Sequence, residues 1–159
     1  MLERFTDPVL AFFRIAVGLL FTCHGVASLF GVLGGAQSSG SALPVGQWPG
    51  WYAAVIQLVC GVLVVFGLVT VPAALLASGS MAYAYFVVHQ QHNLFPILNH
   101  GEPAAMFSLA FLALAVIGAG PYSLDHLLAR RRQAGGVRTR GVRATTRTAP
   151  AHQPAELDA

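Results

Sequence analysis

The chain has 159 residues, of which 55% are hydrophobic and 9% are charged, and it contains no lysine. Because a soluble domain carries about 25% charged residues, this composition excludes an ordinary water-exposed surface and indicates that lipid covers most of the protein. The formal net charge of +3 comes from the C-terminal end, since seven of the nine arginines lie at or after Arg130, and it therefore does not indicate a nucleic-acid-binding groove.

Four apolar segments predict four transmembrane helices, near residues 9–30, 50–70, 72–91 and 103–119. The first segment is long and contains Arg14, which favours a retained helix over a cleaved signal peptide. The connection at residues 69–71 is so short that the second and third helices are expected to form an antiparallel hairpin. The prediction for residues 1–132 is therefore an all-α fold, an integral membrane antiparallel four-helix bundle.

The distribution of arginine predicts how this bundle is oriented. Arg4 precedes the first span, and residues 130–132, all of them arginine, follow the fourth. The loops at residues 31–49 and 93–102 contain neither Lys nor Arg. By the positive-inside rule, both termini are expected in the cytoplasm and both loops on the outer side of the membrane.

Polar side chains within and beside the spans lie mainly toward the outer side. A rotation of about 100° per residue places Gln57 of span two, and Tyr85 and His89 of span three, on faces that also carry small residues, as is typical of surfaces between helices. His24 lies in the outer part of span one, and Glu102 lies in the outer loop before span four. The candidate site is an outward-facing polar pocket of these five residues, able to hold a quinone head group or to relay protons.

A second interpretation of these residues needs no ligand, because interfacial side chains can be solvated by water and head groups. This interpretation is preferred for His92 and His100, which lie near or beyond the boundary. His89 and His92 have a spacing that suits one metal ion, but no nearby Cys or carboxylate completes a set, so no metal site is predicted. Cys23 and Cys60 form no CxxC motif and predict neither a zinc site nor a disulfide framework.

Span one carries a predicted inward stripe that consists of Arg14, Gly18, Phe21, Gly25 and Ser28. Arg14 lies one to two turns inside the cytoplasmic boundary, so its long side chain is expected to reach that boundary by snorkelling. Pairing of Arg14 with a backbone carbonyl or with Asp125 is the alternative.

The segment after span four is predicted to be a short interfacial helix followed by a tail. Ser123 can cap a helix over residues 123–132 that lies on the inner leaflet. Three of its side chains would meet anionic head groups, namely Arg130, Arg131 and Arg132. Residues 133–159 are dominated by Gly, Thr, Ala, Arg and Pro, which predicts a disordered, basic cytoplasmic tail.

Three segments carry a family resemblance. Residues 14–31 begin with an Arg, continue with Gly and His-Gly, and end in Leu-Phe-Gly; residues 57–74 contain Gln-x-x-x-Gly and Gly-Leu-Val-Thr; residues 120–125 close with Gly-Pro-x-Ser-Leu-Asp. In order and spacing these segments resemble the DoxX family of small bacterial membrane proteins. The chain departs from that family at Ser28, where Lys is common, and at Gln57, where Glu is common. A buried Lys–Glu pair at these two positions would be lost as a whole, which avoids leaving one buried charge without its partner.

The resemblance implies a four-helix protein of the bacterial plasma (inner) membrane, linked to thiosulfate:quinone oxidoreduction, redox complexes and oxidative-stress responses. The leading hypothesis is an accessory or quinone-contacting subunit of such a system, with the lipid bilayer, redox-complex proteins and further copies of the chain as partners. The sequence carries no cofactor fingerprint, haem motif or paired thiols, so quinone is the one cofactor considered and independent catalysis is not predicted. The alternatives are a small-molecule carrier that uses the same pocket and a scaffold that recruits partners through its Arg-rich tail.

Overall fold

The structure, a computed structural model, describes residues 3–133, and every regular element in that range is helical. Its main helices are α1 (Thr6–Phe30), α2 (Gly50–Phe66), α3 (Thr70–Tyr83), which continues as a π-helical turn (Ala84–His89), α4 (Glu102–Ile117) and α5 (residues 124–133). The predicted all-α fold is confirmed. The tail predicted at residues 133–159 lies, beyond residue 133, outside the described residues.

The helices differ in whether they are long enough to span a membrane. Two helical segments, Thr6–Phe30 and Thr70–His89, are long and apolar enough to span a membrane by length and composition. The helices α2 and α4 are apolar but shorter, at 17 and 16 residues. Residues 3–126 belong to one compact unit, and residues 127–133, which are helical, belong to a second.

Glycines bring α1 and α2 into close contact. A Cβ atom added at Gly25 would lie 2.5 Å from the amide nitrogen of Leu58 and 2.9 Å from the carbonyl oxygen of Ala54. A Cβ atom added at Gly61 would lie 2.9 Å from the carbonyl oxygen of Gly18. Because only glycine fits at these positions, the two backbones approach closely, as small residues allow where helices associate in lipid.

The predicted stripe on α1 faces the other helices, because four of its members are buried: Arg14, Gly18, Phe21 and Gly25. Phe21 packs into a core with Phe111 of α4, and their ring centroids are 4.6 Å apart. The helix α1 packs chiefly against α2, and α3 packs chiefly against α4. The hydroxyl of Ser78 strengthens the second pairing, because it donates to the carbonyl oxygen of Ser108 at 2.8 Å.

Asp125 fastens the segment that follows α4 to the turn between α2 and α3. Its carboxylate accepts hydrogen bonds from the amides of Val69 at 2.8 Å and Thr70 at 2.9 Å, and so satisfies two free N–H groups at the start of α3. Two opposing effects act on the pKa of Asp125: burial of the carboxylate raises it, whereas the hydrogen bonds from Thr70 and Val69 and the charge of Arg14 lower it. The lowering effects are the larger, so the pKa lies below its ordinary value.

Arg14 is buried among the helices, so the prediction that its side chain extends outward by snorkelling is wrong. Its side chain is 2% exposed. Nη1 donates to the carbonyl oxygens of Val64 at 2.6 Å and Val65 at 2.7 Å, and Nη2 donates to that of Tyr122 at 2.8 Å. Of the two alternative partners, a backbone carbonyl or Asp125, the hydrogen bonds are made to backbone carbonyls. The last turn of a helix leaves carbonyl groups without partners, and a planar guanidinium can satisfy several of them at once.

These groups are named the Arg14 cluster: the side chains of Arg14 and Asp125 and the carbonyls of Val64, Val65 and Tyr122. Gly67 lies against the cluster with a φ of +66°, a conformation that favours glycine. A Cβ atom at this position would lie 2.7 Å from Nη1 of Arg14. The cluster therefore holds one end of the helices together through main-chain contacts that leave no room for larger residues.

Ser123 caps α5 as predicted, because its hydroxyl accepts a hydrogen bond from the amide of His126 at 3.2 Å. Leu124, Leu127 and Leu128 are between 39% and 46% exposed. The following side chains are exposed as well, including those of Arg130, Arg131 and Arg132. The interfacial position of this helix stays a prediction.

Candidate ligand-binding cavity

A cavity of about 650 Å³ lies at the end of the helices opposite the Arg14 cluster, and is named the His24 cavity. The helices α1 to α4, the π-helical turn and the loop that precedes α2 all contribute to its lining. Three of the five predicted site residues line it, namely His24, Gln57 and His89. His100, for which an interfacial role was preferred, and Ser28 line it too.

The lining of the His24 cavity is mainly apolar, with a few polar side chains and no permanent charge. Among the lining residues of the described chain there is no Asp, Glu, Lys or Arg. Ser28 and Gln57, the two positions at which the sequence departs from the DoxX pattern, are both part of it. A bound group that carried a full charge would find no counter-charge here, and its desolvation would be costly. The cavity therefore suits a neutral molecule.

His24 lines the cavity and packs against an aromatic side chain of α4. Its ring lies edge-on to Phe107 of α4, with the ring centroids 5.5 Å apart. Phe107 in turn packs on Phe21, with centroids 5.2 Å apart. The imidazole thus packs against Phe107 while His24 stays exposed, and its ring nitrogens supply one donor and one acceptor when it is neutral.

Gln57 projects from α2 toward α3, where its Nε2 lies 4.0 Å from Sδ of Met81. Within residues 3–133 this weak contact is the one hydrogen bond of its side chain. The amide is half-buried and keeps most of its hydrogen-bonding capacity. Gln57 is therefore available to a ligand.

His89 lines the cavity while holding the loop before α4. Its Nδ1 lies 3.1 Å from the carbonyl oxygen of Asn99. A carbonyl can only accept, so Nδ1 carries the hydrogen, and in the neutral ring Nε2 is an acceptor. Asn99 is itself buried; its Nδ2 donates to the carbonyl of Asn93 at 2.7 Å and its Oδ1 accepts from the amide of Gly101 at 2.7 Å.

Tyr85 and Glu102 do not line the cavity, although both were predicted to belong to the pocket. The hydroxyl of Tyr85 donates to the carbonyl of Leu94 at 2.9 Å, so this side chain supports the loop. The expectation assumed 100° per residue, whereas residues 84–89 form a π-helical turn, which adds a residue and shifts the following side chains around the axis. Glu102 is exposed in the first turn of α4, where a negative charge is favourable.

Several lining residues were not identified from the sequence, namely Met81, Phe107, Trp48 and Tyr83. Met81 follows Ala74, Ala77 and Ser78 at helical spacing, a series of small residues that could have located this face. Trp48 belongs to the loop before α2, and helical periodicity does not reach it.

No three or more His, Cys, Asp or Glu side chains in residues 3–133 are placed to hold a metal ion. His24, His89 and His100 of the cavity therefore do not converge on such a centre. His92 is exposed and lies outside the lining. The cysteines are two free thiols, which fits their apolar surroundings in the sequence.

Fold and site together define an all-helical protein with apolar helices and a neutral, hydrogen-bonding cavity at one end. Comparison with known proteins identifies the family: the model described as DoxX matches residues 9–90, and the chain belongs to the DoxX family of membrane proteins. The chain is also 37% identical over 132 residues to an uncharacterized protein of Haemophilus influenzae, a match that covers 79% of this chain and 94% of that protein. No solved structure matches it.

Proposed function

We propose that the chain crosses the bacterial plasma membrane four times, with both termini in the cytoplasm, and binds a quinone head group in the His24 cavity. It would act as an accessory, quinone-contacting subunit of a membrane redox or oxidative-stress system. The observation that carries the proposal is the cavity itself, uncharged yet lined by His24, Gln57 and His89 beside apolar walls.

The surface of the helices supports a membrane location. Large apolar side chains are exposed on every one of α1 to α4, with Phe12 at 74%, Leu76 at 54% and Leu109 at 65%, whereas Arg14 is buried. This is the reverse of a soluble protein. At 1.5 Å per residue, α2 and α4 are about 24–26 Å long, slightly less than a hydrocarbon core of about 27–30 Å. A modest local thinning of the bilayer accommodates that difference.

Cysteine labelling tests the orientation. Ser39→Cys and Thr139→Cys are introduced separately, and intact cells are treated with a membrane-impermeant thiol reagent. Labelling is expected at position 39 and absent at position 139 until the membrane is permeabilised. Labelling at position 139 but not at position 39 in intact cells would reverse the topology and place the cavity on the cytoplasmic side.

The chemistry of the cavity matches a quinone head. A quinone presents a flat apolar ring and two carbonyl acceptors, so it needs apolar walls and neutral donors. Phe107 and Met81 supply such walls, and the amide of Gln57 and the ring of His24 supply such donors. The cavity volume of about 650 Å³ lies within the usual range for small-molecule sites.

Trp48 makes this binding measurable, because it lines the cavity whereas Trp51 does not. A Trp51→Phe variant retains Trp48 as its one tryptophan. Titration with a short-chain benzoquinone, followed by fluorescence quenching, is expected to saturate. Gln57→Leu in that background removes a donor and should weaken binding about five- to tenfold, the loss expected for one hydrogen bond. His92→Leu, an exposed change outside the lining, is the matched control.

Two outcomes would contradict the proposal. The first is quenching that rises linearly with quinone concentration and does not saturate. The second is equal affinity of the Gln57→Leu and His92→Leu variants. A Trp48→Phe variant, which retains Trp51, reports the collisional background that must be subtracted.

A further inference from the structure

On one side of the His24 cavity, the side chains that line it are also exposed on the protein surface. Trp48 and Tyr83 both line the cavity, yet Trp48 is 67% exposed and Tyr83 is 41% exposed. Their rings meet edge to face with centroids 6.0 Å apart. Trp48 lies in the loop before α2 and Tyr83 at the end of α3, so this pair closes the seam between these two helices.

The backbone behind this pair is lined by small residues. Gly50 and Ala53 of α2 face the cavity, and so do Ser80 and Ala84 on the α3 side. The two helices are joined by a tight turn at the Arg14 end, and at the cavity end the contact between Gln57 and Met81 lies deeper than the two small residues of α2 and than Ala84. The hydroxyl of Ser80 is satisfied by the carbonyl of Ala77 at 2.9 Å, so it leaves no unpaired polar group in the seam.

The loops at this end of the helices are fastened by hydrogen bonds. In the loop before α2, the amide of Leu43 donates to the carbonyl of Ser28 at 2.8 Å, and the amide of Ala36 donates to that of Ser41 at 2.9 Å. Buried Asn99 holds the loop before α4 through its side chain. The Trp48–Tyr83 contact, by comparison, is a single aromatic contact without a hydrogen bond between the two rings.

We propose that the seam closed by Trp48 and Tyr83 is a lateral portal through which the ligand enters from the bilayer, so the ligand is a lipid whose hydrocarbon tail stays between α2 and α3. This inference rests on the proposed function and adds the class of ligand and its route. Tyr52, which is 46% exposed, adjoins Trp48 with ring centroids 5.6 Å apart, and Trp51 in turn adjoins Tyr52 with centroids 5.2 Å apart. Such aromatic groups are typical of the head-group depth of a membrane, where the head of a lipid would enter.

Photolabelling tests where the tail lies. The full chain in lipid nanodiscs is given a benzoquinone whose alkyl tail carries a diazirine, is irradiated, and is mapped by mass spectrometry. Label is expected in the segments 48–56 and 76–86, and a short-chain quinone should compete it away. Label confined to the α1 and α4 side, around His24 and Phe107, would overturn the portal while leaving head-group binding intact. Absence of competition and of saturable Trp48 quenching would instead show that the proposed function fails.

Entry kinetics give a second readout. In the Trp51→Phe background, Tyr83→Ala removes the contact that closes the portal, and stopped-flow quenching by the long-tailed quinone should be about fivefold faster, the factor expected for losing one aromatic contact. Tyr52→Ala removes a different contact of Trp48 and should leave the rate unchanged. Equal rates in the two variants would refute the portal.

Discussion

Replacing Arg14 by methionine removes a buried guanidinium that joins α1, the end of α2 and the segment after α4. Three hydrogen bonds are lost, to the carbonyls of Val64, Val65 and Tyr122. The carbonyl of Val64 also accepts from the amide of Gly67 at 3.0 Å, so two carbonyls, rather than three, lose their partner. A bond from a charged donor contributes roughly 1.5–3 kcal/mol and the effects do not add. The expected loss is about 3 kcal/mol, at the lower end for breaking a buried ionic arrangement.

The free energy of unfolding in mild detergent, followed by tryptophan fluorescence during titration with a denaturing detergent, measures this loss. Arg4→Met is the matched control, because Arg4 is exposed and its guanidinium stacks on Phe5 at 4.7 Å; it should change stability by less than about 0.5 kcal/mol. Arg14→Lys should fall between the two, since one ammonium cannot replace two guanidinium nitrogens that donate in different directions. Equal stability of Arg14→Met and Arg4→Met would refute the assigned role of the cluster.

Three further outcomes are expected. Gly25→Ala should destabilise the protein by about 1–3 kcal/mol, since its Cβ would overlap α2. Gly79→Ala, with no atom within 4 Å of the added Cβ, should stabilise it slightly. If thermal unfolding in detergent showed Gly25→Ala to be the more stable variant, the close packing of α1 on α2 would be contradicted. Because the pKa of Asp125 is lowered in the folded state, its contribution should be complete above about pH 4 and lost as the pH falls further. The free energy of unfolding, measured against pH, should therefore fall less at acid pH in Asp125→Asn than in the unchanged protein. Identical pH profiles would contradict a stabilising role of the Asp125 carboxylate at the start of α3. Asn99→Leu removes the side-chain bonds that hold the loop before α4, so proteolysis within residues 93–101 should accelerate while α1–α2 packing is retained; an unchanged cleavage rate would show that the loop is held otherwise.

The fold was largely accessible from the sequence because apolar segments, Gly-Pro breaks and small-residue stripes are local signals. The stripe on α1 was located correctly, since α1 is regular from Thr6 to Phe30 and 100° per residue applies throughout. Arg14 was placed on the correct face but given the wrong environment. Its partners are main-chain carbonyls some 50 and 108 residues away, and no side-chain pattern marks them.

The site was predicted only in part for a similar reason. His24 and Gln57 lie on regular helices, and both line the cavity. Tyr85 follows the start of the π-helical turn, where the periodicity used to place it no longer holds. Trp48 reaches the cavity from a loop whose path depends on tertiary contacts, so its role required the structure.

The most direct test of the central claim is the amount of quinone that remains with the protein when it is purified from bacterial membranes in a mild detergent. Extraction and chromatography of the purified chain are predicted to yield a stoichiometric amount of quinone, most of it lost in the Gln57→Leu variant and retained in His92→Leu. A quinone content no higher than that of an unrelated membrane protein purified in the same way would contradict the assignment of the His24 cavity as a quinone site.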